Sequence, residues 1–183
     1  MIEIRWHGRG GQGAFTAARL LGLAASIYEG KHTQAFPLFG PERRGAPVLS
    51  FTRISDTKIH DRSDVEACDY VVVLDDTLFG PAVLQGLKKG GVLVINSPSA
   101  ERFTSQDGSY RVVNVDATKL ALEVLNRPIT NIPMLGALAA AVNLVTLESL
   151  LKACDDQLAP SIREKNKKLL RMVYASIGGG GEE

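Results

Sequence analysis

Cysteine is nearly absent from this chain of 183 residues, with only Cys68 and Cys154, far apart in the sequence. Two thiols make neither a disulfide framework nor the four thiolates that an iron–sulfur cluster or a structural zinc usually takes. The chain is therefore expected to carry no metal redox centre of its own, and a reducing, cytoplasmic setting is the default. Histidine is equally sparse. His7, His32 and His60 lack the spacing of a metal-binding helix, which removes the other common ligand set. Net charge is missing too. Lys+Arg 21 against Asp+Glu 20 leave +1, so no overall field draws the protein to nucleic acid or to an anionic membrane. The two longer apolar stretches, residues 13–28 (broken by Arg19) and 132–147 (containing Asn143), fall short of the roughly 20 apolar residues of a membrane span. The mixed start Met1-Ile2-Glu3-Ile4-Arg5 does not read as an export signal. No nucleophile elbow, Walker loop or paired-carboxylate motif occurs.

What is present has the rhythm of an α/β domain. Residues 2–6 alternate as a short strand, and Gly8-Arg9-Gly10-Gly11-Gln12-Gly13 turns into a helix running to about residue 29. Residues 31–38 read as extended and 39–47 as a loop punctuated at both ends by Pro and Gly. Residues 48–54 form the next strand, and Ile59 is placed to open a short return strand. Tyr70-Val71-Val72-Val73-Leu74 is a continuous apolar run of the kind found in parallel strands covered on both faces, and it ends at Asp75-Asp76. A helix to about Lys89, closed by Gly90-Gly91, is expected before the second such run, Val92-Leu93-Val94-Ile95-Asn96. A strand at 111–115 and a helix at 117–125 precede a turn at 127–133 held between two prolines. Helices over the alanine-rich segment, 147–153 and 162 to about 177 complete the reading, with 178–183 as a flexible tail. The expected fold class is α/β, a mostly parallel Rossmann-like sheet flanked by helices with a helical carboxyl-terminal region, and residues 1–177 forming a single domain. Ligands on such sheets bind at the carboxyl ends of strands, where His7 to Gln12, Asp75-Asp76 and Asn96-Ser97 would lie.

Three features could carry function. Gly8, Gly10 and Gly13 fit the G-x-G-x-x-G fingerprint between a strand and a helix, where glycines let a backbone approach a pyrophosphate at a helix amino terminus. The acidic residue that should follow about 20 positions later to hold a ribose is missing, because residues 31–38 contain none. The glycines could equally serve close helix packing. The second feature is the loop 36–47, in which Glu42, Arg43 and Arg44 are pinned by Pro37, Gly40, Pro41, Gly45 and Pro47. Such pinning lowers the entropy of holding one conformation, and arginine forks suit carboxylates and phosphates. Surface ion pairing of Glu42 is the plainer alternative. The third is Asn131, which a rigid turn presents either as a helix cap or to a ligand or neighbouring chain. The basic cluster Arg163, Lys165, Lys167, Lys168 and Arg171 reads as a solvated helix face, and Cys68 and Cys154 as small hydrophobes.

The segments His7-Gly8-Arg9-Gly10-Gly11-Gln12-Gly13 and Gln34-Ala35-Phe36-Pro37-Leu38-Phe39-Gly40-Pro41-Glu42-Arg43-Arg44-Gly45-Ala46-Pro47 strongly resemble the gamma subunit of 2-oxoacid:ferredoxin oxidoreductases. The likeness continues through Arg127-Pro128-Ile129, Asn131, Met134-Leu135-Gly136-Ala137 and Leu147-Glu148-Ser149-Leu150. G-G-Q-G marks the wider family, whereas Glu42-Arg43-Arg44-Gly45-Ala46-Pro47 looks like the pyruvate or branched-chain type. The resemblance implies a multi-subunit enzyme in which pyruvate, coenzyme A and oxidised ferredoxin give acetyl-CoA, carbon dioxide and reduced ferredoxin, reversibly. It further implies alpha, beta and delta partner chains, with thiamine diphosphate, Mg2+ and iron–sulfur clusters on those chains and none bound by this one. No catalytic residue is then expected here, and no nucleic acid or membrane partner. Gly8, Arg9, Gly10, Gly11, Gln12, Gly13, Glu42, Arg43, Arg44 and Asn131 become candidates for an anion- or coenzyme A-facing surface or a subunit interface. The alternatives are the gamma subunit of a branched-chain (2-oxoisovalerate) enzyme, a stand-alone dinucleotide-binding oxidoreductase domain, and a purely structural interaction module.

Overall fold

A computed structural model describes residues 1–38, 44–105 and 107–178. Six strands form one sheet in the order β2-β3-β1-β4-β5-β6, comprising β1 (Ile2–Arg9), β2 (His32–Pro37), β3 (Pro47–Ser55), β4 (Cys68–Val73), β5 (Leu87–Asn96) and β6 (Tyr110–Val115). From β1 to β6 the neighbours are parallel, as the apolar runs require, while β3 pairs antiparallel with both β1 and β2. The α/β class and the mostly parallel, helix-flanked sheet are thus as expected.

The strand pleat sorts the core into two layers. Ile4 and Trp6 of β1, Val72 of β4, Val92 and Val94 of β5 and Val113 and Val115 of β6 point to one face, where they meet the helices. Val71, Val73, Leu93 and Ile95 point to the other. The helical layer contains α1 (Ala14–Leu23), α3 (Ala117–Leu125), α4 (Asn131–Val142), α5 (Leu147–Gln157) and α6 (Pro160–Gly178). In α4 every residue from Asn131 to Ala140 is buried, which explains why the alanine-rich stretch shows no polar face: it is the central helix of its layer.

The opposite face is covered more thinly, and here the sequence reading fails. The helix expected up to Lys89 does not form. A turn of 3₁₀ helix at Asp76–Leu78 and the single turn α2 (Pro81–Leu84) occupy that stretch, and β5 starts already at Leu87. Gly80 and Pro81 interrupt the helix, and Gly86, with φ +76, lies so close to strand β4's approach that a Cβ there would fall inside the Glu66 carbonyl. Phe103 and Phe79, ring centroids 4.9 Å apart and edge to face, complete the cover. Ile59 opens no return strand, because residues 58–62 take neither helix nor strand form. Helix α1 also ends earlier than expected, passing into a π-helical turn at Ala24–Tyr28 before Gly30 releases the chain into β2. On α6, Lys167 departs from the expected solvated face: its side chain is 13% exposed and its ammonium lies 2.8 Å from the Asp155 carboxylate. The tail beyond residue 178 lies outside the described residues.

Candidate functional site

Strand β1 does not stop at Trp6. Its ladder with β3 continues through His7–Leu49, Gly8–Val48 and Arg9–Pro47. Two further backbone bonds carry it into the turn, from Gly10 N to Ala46 O at 2.8 Å and from Gly45 N to Gly10 O at 3.1 Å. Gly8 and Arg9, expected in the turn, are therefore strand residues, because β3 supplies the backbone partners that a turn would have to find locally. The same bonds join the glycine turn to the carboxyl-terminal stem of the arginine loop. Arg44 stands exposed at this junction, while Glu42 and Arg43 lie outside the described residues. Phe36, at the loop's other end, belongs to edge strand β2 and packs on Phe51 with ring centroids 5.3 Å apart.

Gly13 caps α1 in the left-handed region at φ +81. Asn131 is placed against it, its amide nitrogen 2.5 Å from where a Gly13 Cβ would stand. Rather than sitting in the turn, Asn131 is the first residue of α4, 8% exposed, with Oδ1 accepting from Ile132 N at 3.0 Å. The amino-terminal ends of α1 and α4 thus meet side by side beneath the glycine turn. Beyond them, Arg127, Asn131 and Lys165 line a cleft of about 410 Å³ with Ile129 and Ile162 on its rim.

Asp75 ends the run of β4 and reaches across to the turn. Its Oδ2 accepts from Arg9 Nε and Gln12 Nε2, each at 3.0 Å, and its Oδ1 from Thr77 N at 3.1 Å and from the Thr77 hydroxyl. Burial would raise this carboxyl, but the hydrogen bonds from Thr77 and Gln12 and the Arg9 guanidinium outweigh it and hold the pKa below the ordinary carboxylate value. Asp76 accepts from Ser97 Oγ at 2.7 Å, and Asn96 donates to Leu74 O at 2.8 Å. Gln12, Asp75, Asp76, Asn96, Asp116 and Glu123 border a cleft of about 650 Å³ in which Lys119 is the only basic lining residue among the described residues. The carboxyl ends of the strands do converge as expected, but on an acidic cleft that disfavours a pyrophosphate.

One strand residue earlier, β1 carries a buried polar pair on the thin face. Arg5 Nε donates to His7 Nε2 at 3.0 Å, and its terminal nitrogen donates to Val83 O at 2.9 Å and to Gln85 O. Burial first, and then the guanidinium, push the His7 imidazole from 6.5 down to about 4, so it stays neutral with its proton on Nδ1.

Sequence reasoning brought together the right segments but missed Asp75 as the turn's partner. The signal was its position at the end of the neighbouring strand, not its distance from the fingerprint. Among the described residues no group of three or more His, Cys, Asp or Glu is arranged to hold a metal ion. Cys68 and Cys154 are buried in the cores of opposite faces, with both thiols pushed up by burial, Cys154 to about 11. Neither cysteine fits an iron–sulfur cluster. No helix among the described residues is long and apolar enough to cross a membrane.

With this geometry in view, residues 3–176 match the family model for pyruvate ferredoxin/flavodoxin oxidoreductase, and the chain belongs to that family. It is 50% identical over 178 residues to pyruvate synthase subunit PorC of Methanothermobacter thermautotrophicus, covering 97% of this chain and 96% of that one. It is 48% identical over 180 residues to the pyruvate/ketoisovalerate oxidoreductases common subunit gamma of Thermococcus kodakarensis, covering 95% and 96%. The crystal structure of pyruvate oxidoreductase subunit PORC from Thermotoga maritima superposes with a TM-score of 0.82 at 41% identity over 94% of both chains. The gamma-subunit class is borne out, and so is the pyruvate type, one of the two that the second motif left open.

Proposed function

We propose that this chain works inside an assembled pyruvate:ferredoxin oxidoreductase, as the component that docks the alpha and beta chains and borders the route of coenzyme A. The enzyme's thiamine diphosphate, Mg2+ and iron–sulfur clusters belong to the alpha, beta and delta chains, and ferredoxin takes the electrons from there, in the cytoplasm. The residues of this chain bind and orient; none of them exchanges protons or electrons with the 2-oxoacid. The observation that carries this reading is the pair of backbone bonds between Gly10 and residues 45–46, which unite the two family-marking segments into one surface at the carboxyl end of the sheet. Asn131, against Gly13, extends that surface towards the cleft containing Arg127 and Lys165, whose charges suit a phosphorylated ligand. The test is the assembled complex carrying Arg43→Ala and Arg44→Ala, measured for assembly, turnover and the KM for coenzyme A. A raised KM is expected, and no change in any of the three overturns the reading. Loss of assembly alone would leave only the docking role.

A second reading concerns the substrate. Relatives such as that of Thermococcus kodakarensis are named as common to pyruvate and ketoisovalerate enzymes, which supports a gamma chain that serves either 2-oxoacid while other chains choose between them. Ferredoxin reduction by the native complex with a panel of 2-oxoacids decides this. The stand-alone dinucleotide-binding reading is opposed by the acidic cleft, and NADH is expected not to bind the chain in a calorimetric titration.

A further inference from the structure

The glycine turn has little of its own to fix it. Gly10 is held by the stem at residues 45–46, but Gln12 N bonds only within the turn, to Arg9 O at 2.9 Å, and Gly11 and Gly13 both have positive φ, at +95 and +81. Glycines in such conformations are free to leave them unless something outside the turn decides otherwise.

Asn131 of α4 backs Gly13, and the outside element that holds Arg9 and Gln12 is one carboxylate. Arg9 N donates to Gln12 Oε1 at 2.7 Å, Gln12 Nε2 donates to Asp75 Oδ2, and Arg9 Nε donates to the same oxygen, so a closed ring of hydrogen bonds runs through both ends of the turn and meets at Asp75. Arg9 then extends its other nitrogens to Gly45 O at 3.1 Å and Thr77 Oγ1 at 2.7 Å, which ties the stem of the arginine loop to the same point. The pair is not a loose surface ion pair: the Arg9 and Asp75 side chains are 33% and 18% exposed. Only an ionised carboxylate can accept on both oxygens from four donors, and the depressed pKa keeps it so.

We propose that Asp75 is a positioning residue, which sets the glycine turn and the arginine-loop stem in the one relative arrangement that receives coenzyme A. This rests on the reading that the turn borders the coenzyme A route, and it adds a residue from outside both family-marking segments. Asparagine at position 75 has the same shape but replaces one accepting oxygen by a donor. Either the Thr77 side or the Arg9 and Gln12 side must then lose its bonds and face a like donor.

The experiment uses the assembled complex with Asp75→Asn, alongside Gly11→Ala, whose methyl enters open space on the turn itself. Asp75→Asn is expected to raise the KM for coenzyme A about tenfold, the loss typical of a hydrogen bond to a charged group, with kcat at saturating coenzyme A nearly unchanged. Amide hydrogen exchange should quicken at residues 9–13 and 44–46 and stay slow in α4. If Gly11→Ala raises the KM but Asp75→Asn does not, the positioning role is overturned while the turn's own role stands. If neither moves the KM, the underlying reading fails and the proposal falls with it. A drop in assembly or kcat with an unchanged KM would also overturn it, since that is the mark of a merely structural carboxylate.

Discussion

The Asn131 amide nitrogen stands 2.5 Å from the point that a Cβ on Gly13 would occupy, and Asn131 Cγ stands 3.1 Å from it. The first residue of α4 therefore lies directly on the cap of α1, and Gly13 is required twice over, for its left-handed φ and for its missing side chain. Gly13→Ala is expected to cost about 1–2 kcal/mol for the backbone alone, plus the displacement of Asn131. Chemical denaturation of Gly13→Ala, Asn131→Ala and the double variant should show a non-additive cycle, because truncating Asn131 removes the clash but leaves the φ penalty.

Gly86 presents the same demand in the thin layer. With φ +76 and the Glu66 carbonyl oxygen 1.9 Å from where its Cβ would stand, it has no room for a methyl, and Cys68 N donates to its carbonyl at 2.8 Å. Gly86→Ala should force β4 and β5 apart and destabilise the chain by more than about 4 kcal/mol, into the range reserved for backbone failures. A thermal melt reads this, and a shift of only a degree or two would contradict the geometry.

His7 gives a pH dependence whose sign can be worked out. Its folded pKa of about 4 lies below the unfolded 6.5, so between these values the unfolded chain binds the extra proton. Stability contributed by the neutral imidazole is complete above pH 6.5 and is lost as the pH falls towards 4, by about 3 kcal/mol in total. Denaturation midpoints at pH 7 and pH 5 should differ accordingly. His7→Gln, which can still accept from Arg5, should flatten the difference.

Trp6 Nε1 donates to Thr52 Oγ1 at 3.1 Å, and that hydroxyl donates to Ala18 O at 3.0 Å. Thr52→Val keeps the shape but strands a buried indole N–H, at an expected cost of about 1–3 kcal/mol. Thr52→Ser keeps the bond and should lose less. Urea titration of the two variants separates polar from packing contributions.

Much of this fold was legible in the residues because its driving terms are local. Val71 to Val73 and Val92 to Asn96 are buried on both faces, the pattern of parallel interior strands. The helix expected at 117–125 is α3, and the structure shows what starts it: Asp116 accepts from Lys119 N at 2.9 Å. The crossover between β4 and β5 departs from the expected helix because, although apolar residues at 78, 79, 83 and 84 fit a helical period, Gly80 and Pro81 break it and Gly86 answers to a tertiary contact, the Glu66 carbonyl, that no local pattern records. The extension of β1 through Arg9 was hidden for a similar reason: a glycine run reads as a turn until a partner strand offers it a ladder. At the site, the motif glycines and Asn131 were found by their types, but Asp75 serves the turn from another strand. Its role depends on strand order, which the sequence leaves open.

The chain has a single tryptophan. Trp6 is fully buried two residues before Gly8, and its indole is bonded to Thr52 of β3 and through that hydroxyl onward to α1, so it is linked to three of the elements around the glycine turn. Nature has thereby placed an optical gauge inside the machinery. Light emitted by this indole should be blue-shifted while the strands and α1 stay closed around it, and should move to the red when water enters. The setting of the turn can be followed in the separated chain by its own fluorescence, with no label attached.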